Sequence, residues 1–100
     1  MKSFSLFLAV AMFAAQPVMA DRIENACLKS ERSYGKRALC RCIQDAADLT
    51  LTARDQRLAA TFFADPHRAQ EIRQSDSRSH EAFWERYENF GQTAETFCGR

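Results

Sequence analysis

The pentapeptide "LCRCI", Leu39 to Ile43, sets two of the chain's four cysteines one residue apart. Around it Leu39, Ile43, Ala46, Ala47 and Thr50 recur on one face at 3.6 residues per turn, which predicts a helix from Lys36 to Leu49. In such a helix Cys40 and Cys42 project about 200° apart and cannot bridge each other without unwinding the backbone. They flank the apolar stripe at roughly 80° on either side, so each staples the helix to a different neighbour. The remaining cysteines, Cys27 and Cys98, are the candidate partners. An antiparallel helical hairpin turning near Ser33 and Tyr34 brings Cys27 most nearly opposite Cys40. That favours Cys27 with Cys40 and Cys42 with Cys98, the swapped pairing being the alternative. Zinc ligation wants paired C-x-x-C or C-x-x-C with His spacing, and a redox dithiol usually sits at a helix N-terminus; "CRC" offers neither. Structural disulfides are the expectation, as for an even cysteine count in a small exported domain.

Outward from this helix the pattern stays helical. No period-two alternation is visible, and only three glycines and two prolines interrupt the chain. A short first helix is expected from about Arg22 to Ser30, carrying Cys27, with a polar turn around Gly35. Thr52 with Asp55 three residues later reads as a capping box opening a third helix, which buries Leu58 and Phe62 with Phe63 beside them. Asp65 as N-cap and Pro66 at the first helical position start a fourth, containing Ala69 and Ile72. "QSDSRS", 74–79, connects it to a last helix from about Ser79 to Phe97, whose Phe83, Tyr87, Phe90, Ala94 and Phe97 form one core-facing stripe. The expected fold is all-α: a small bundle of four or five helices cross-linked by two disulfides.

Lys2 followed by the apolar run Phe4 to Ala15, a break at Pro17 and small residues before Asp21 reads as a secretory signal peptide over residues 1–20. The run is too short for a resident membrane helix, and no second apolar run could span a bilayer after cleavage. Residues 21–100 then form a single domain, small enough to gain from covalent staples. The chain carries 14 Lys+Arg and 13 Asp+Glu, and without Lys2 the charges balance, which removes the electrostatic basis for nucleic-acid binding.

Chemistry-bearing motifs are sparse. His67 with Glu71 and Asp76 with His80 are four apart, but two ligands do not define a metal site. No Ser, His and Asp arrangement is legible, and Gly35, Gly91 and Gly99 form no phosphate loop. Neither an enzyme nor a cofactor is expected. One candidate ligand-binding patch remains: Glu81, Trp84 and Glu88, with Glu85 and Glu95, fall on the last helix away from its apolar stripe. Carboxylates beside an indole could cradle a guanidinium or another cation, against the favoured reading of a solvated face with Trp84 covering the core's edge.

The stretch "RALCRCIQDAADLTLTARDQRLAATFFADPHRAQEIRQSDSRSHEAFWERY", Arg37 to Tyr87, resembles a group of small exported alphaproteobacterial proteins that often carry the label arginine transporter. The likeness lies in the C-x-C helix, the "ADPH" helix start and the "FWERY" aromatic helix, and it implies a periplasmic protein. A more distant similarity, of architecture alone, is to small disulfide-bearing helical periplasmic chaperones. The expected function is non-catalytic: a small periplasmic binding or interaction protein of the cell envelope. The alternatives are a soluble accessory that binds a cationic solute such as arginine for a transporter, and a periplasmic stress chaperone.

Overall fold

The computed structural model describes residues 21–30 and 36–99. The expected leader and the turn around Gly35 lie outside the described residues. Five helices follow one another: α1 (Arg22–Lys29), α2 (Arg37–Thr50), α3 (Ala53–Ala64), α4 (Pro66–Arg73) and α5 (Arg78–Cys98). No strand forms among the described residues, and the fold is all-α as expected.

Local chemistry sets the boundaries. The Thr52 hydroxyl accepts from the Asp55 N–H at 3.0 Å while the Asp55 carboxylate accepts from the Thr52 N–H at 3.1 Å, closing the capping box at the head of α3. Leu51 and Thr52 are the only residues between α2 and α3, both extended, and Leu51 turns its side chain into the core. Pro66 opens α4 as expected, but Asp65 makes no side-chain capping bond there. α5 begins one residue earlier than the periodicity suggests, because the Ser77 hydroxyl, not Ser79, accepts from the His80 N–H.

Both expected bridges are present, Cys27–Cys40 and Cys42–Cys98, with Cα–Cα separations of 5.6 and 5.8 Å. The first ties α1 to α2 and the second ties α2 to the end of α5, so α2 is the strut on which the bundle hangs. The core draws on every helix: Ile23, Ala47, Leu51, Ala59, Phe62, Ile72, Phe83 and Phe90 are buried together. Leu58 and Phe63 pack against this cluster from partly buried positions.

One residue of the expected stripe is out of place. Phe97 is 70% exposed, although it lies seven residues beyond the buried Phe90 on nearly the same helical face. The core ends on α5 at Phe90 and Ala94, so the same face one turn further on has no packed neighbour among the described residues and Phe97 stays in water.

Candidate functional site

Three places gather polar or concave features, and each is built by different residues. The first is a buried polar cluster where α1, α2 and α3 meet. Gln44 continues the Cys40, Ala47, Leu51 face of α2 and is fully buried with them. Its carbonyl oxygen accepts from the Glu24 N–H at 2.8 Å, one of the orphan donors at the start of α1, where Asp21 supplies no side-chain cap. Its amide nitrogen donates to Asp48 at 2.8 Å and to Gln56 at 3.0 Å. Gln56 in turn donates toward Asp48 and the Ala47 carbonyl at 3.3 and 3.4 Å. Every member thus has a partner, which is how buried amides persist in a core without a large desolvation cost. The cluster holds three helices in register, with the exposed Asp48 as its only charged side chain.

Beside it, Arg86 of α5 makes a two-pronged contact with buried Asp55, at 2.7 and 3.0 Å. Burial pushes the Asp55 carboxyl upward, but hydrogen bonds from Arg86 and from Thr52 outweigh it and hold the group below the usual carboxylate range. The hydrogen bond to Asp55 raises the Arg86 guanidinium in turn. A carboxylate with a lowered folded-state pKa contributes stability that is fully present above its unfolded pKa of about 4 and is lost as the pH falls through its folded value. Arg86→Leu leaves Asp55 buried without its cation. The expected cost is about 1 to 3 kcal/mol, less than for a fully enclosed pair because Arg86 is 44% exposed. Urea unfolding should show that loss at pH 7, and the variant should lose less stability than the parent between pH 4 and pH 2. Equal acid limbs for the two proteins would mean that the pair does not carry this pH dependence.

The second place is the patch singled out in the sequence. Glu81, Glu85 and Glu88 are exposed as expected. Trp84 is not on the far side of the helix from the core: it is half-buried, with its ring 5.0 Å from Tyr87 and 6.5 Å from Phe83. Glu88 and Glu95 instead border a shallow depression between α2 and α5, floored by Leu39, Ile43 and Ala94. His67 and Glu71 pair across one turn of α4 at 3.8 Å, Arg68 pairs with the same Glu71 at 3.3 Å, and His80 bonds Ser75 rather than Asp76. Among the described residues no three His, Cys, Asp or Glu side chains come together in a way that could hold a metal ion.

The third place was not foreseen. A cleft of about 1080 Å³ opens between α1 and the junction of α3 with α4, and reaches α5. Arg22, Asn25, Ala26 and Lys29 line its α1 wall at i, i+3, i+4 and i+7, the face of α1 next to the one that buries Ile23 and Cys27. Phe62, Phe63, Ala69 and Tyr87 supply apolar surface opposite. Burial raises the Tyr87 hydroxyl above its ordinary pKa. The Arg22 Nε atom is buried with no acceptor, a condition that costs about 1 to 3 kcal/mol when nothing relieves it. The lining residues include two cations and no carboxylate. The cleft is assembled from four helices and no short motif encodes it; the only sequence signal was that α1 carries cations on a face its apolar residues do not use.

Fold and site define a small disulfide-stapled helical domain with one amphipathic cleft. No protein-family model, curated protein or solved structure matches the chain.

Proposed function

We propose that this protein is a small non-catalytic binding protein of the cell envelope, exported in oxidised form, and that the cleft between α1 and the α3–α4 junction is where it holds its ligand. The cleft itself carries this reading. Its volume of about 1080 Å³ is slightly above the ordinary range of small-molecule sites, and its lining sets aromatic rings opposite the polar and cationic side chains of α1. Two disulfides support export, since such bridges persist in oxidising compartments. Among the described residues no helix is long and apolar enough to cross a membrane. A cationic solute at Glu81, Trp84 and Glu88 is the less favoured reading, because an aromatic ring packed on its own core leaves those carboxylates without an enclosing wall.

Native mass spectrometry of protein isolated gently from the envelope fraction tests the proposal. The oxidised chain should carry a small-molecule adduct that is lost in Ala69→Trp, a variant that fills the cleft from α4. Stripping the adduct should lower the melting temperature, because a ligand bound only to the folded state stabilises it. An adduct that survives in Ala69→Trp would place the ligand elsewhere.

A further inference from the structure

We infer that the ligand of this cleft is an anionic amphipath, a single acyl chain ending in a carboxylate, with the carboxylate at Arg22 and the chain along Phe62, Phe63 and Tyr87; this rests on the cleft being the binding site. Two observations converge on that chemistry. The charged lining is of one sign: Arg22 and Lys29 stand on the same wall, and no carboxylate is among the described lining residues. Neither cation has an ion-pair partner among the described residues, so an anion in the cleft meets no competing carboxylate there. The Arg22 Nε is itself closed off from solvent, so a ligand reaches the guanidinium only through its terminal nitrogens.

The opposite surface selects the rest of the molecule. Phe62 meets Tyr87 edge-on at 5.3 Å, and this pair continues along α3 to Phe63 and on to Ala69 of α4. Such a surface offers dispersion and area burial, which suits a flexible alkyl chain. A planar guanidinium fork matches the two oxygens of a carboxylate. Lys29, two turns further along α1 and about 10 Å from Arg22 by helical rise, adds attraction at a distance rather than a second fixed contact. A small hydrophilic anion would leave the aromatic surface unused, and an uncharged lipid would leave the two cations of α1 without a counter-charge.

The test uses dodecanoate, dodecanol and dodecyltrimethylammonium, each below its micelle-forming concentration, titrated into the oxidised, ligand-stripped protein. Binding is read by calorimetry and by the fluorescence of Trp84, the only tryptophan, whose ring lies 5.0 Å from the cleft residue Tyr87. Dodecanoate should bind saturably at one site per chain, with dodecanol at least about tenfold weaker and the ammonium compound weaker still, since a charge-assisted contact is worth at least that factor. Arg22→Gln should bring dodecanoate to the affinity of dodecanol, and Arg22→Lys should recover part of the difference. If a substitution at Arg22 prevents folding, the head-group comparison on the unaltered protein decides alone. Equal binding of all three compounds, blocked by Ala69→Trp, would keep the cleft as a binding site and overturn the carboxylate assignment. Binding of none of them would overturn the amphipath assignment, and loss or survival of the native adduct in Ala69→Trp then decides the cleft separately.

Discussion

Replacing Cys42 and Cys98 together by serine is expected to remove about 4 kcal/mol of stability, because the bridge closes a loop spanning a sequence separation of 56. The same change at Cys27 and Cys40 should remove about 3 kcal/mol, their separation being only 13. Both figures come from the entropy that a cross-link denies the unfolded chain, and they rank the bridges without assuming strain in either. Against the 5 to 15 kcal/mol of a typical domain, the longer loop's bridge is a large share. Its loss should be felt mainly at the C-terminal end of α5, which the bridge ties to α2 beside the depression lined by Leu39, Ile43 and Ala94. Urea unfolding of the double variants, followed by Trp84 fluorescence and by far-ultraviolet circular dichroism, measures the two losses. The unaltered protein should show no free thiol under denaturing conditions, since all four cysteines are bridged. A larger loss at Cys27 and Cys40 would mean that native packing around the α1–α2 bridge, and not loop entropy, sets the ranking.

The architecture was legible in the sequence because its determinants are local. A helix containing C-x-C cannot close on itself, so two staples to two neighbours follow from the angle between successive residues. The capping box at Thr52 and Pro66 at the head of α4 are likewise short-range signals, and both mark the ends of helices in the structure. What periodicity could not supply is which face of a helix meets which neighbour. Gln44 sits in an apolar register between Cys40 and Ala47, and that conflict was the available sign of a buried amide. Its partners, Glu24 and Gln56, lie on two other helices and carry no sign of the pairing in their own segments. Helical angle sets Trp84 off the apolar stripe, and its indole covers the core's edge beside Tyr87, the favoured reading of that position. The cleft was the least visible feature, because its walls come from α1, α3, α4 and α5 and exist only once those helices are docked.

Phe83→Ala is expected to cost about 4 to 5 kcal/mol and Phe90→Ala about 3 to 4, which separates two rings that helical periodicity treats as equivalent. Both are nearly inaccessible, at 3% and 6% exposure, so the loss of transfer free energy is similar. The difference lies in their aromatic neighbours. Phe83 meets Phe62 edge-on at 6.0 Å, stacks on Tyr87 at 5.6 Å and lies 6.5 Å from Trp84, whereas Phe90 meets only Tyr87, at 5.6 Å. Favourable ring pairs add about 0.5 to 1.5 kcal/mol beyond area burial, so losing several outweighs losing one. Phe83 also joins α3 to α5 through Phe62, and its removal leaves a cavity that a single helix cannot collapse to fill. Phe97→Ala is the informative contrast: with the ring largely in water, it should change stability by no more than about 0.5 kcal/mol, as should Glu85→Ala. Chemical denaturation of the four variants gives the ranking directly. If Phe97→Ala proves as costly as Phe90→Ala, the last turn of α5 is buried in solution, and the core extends beyond Ala94.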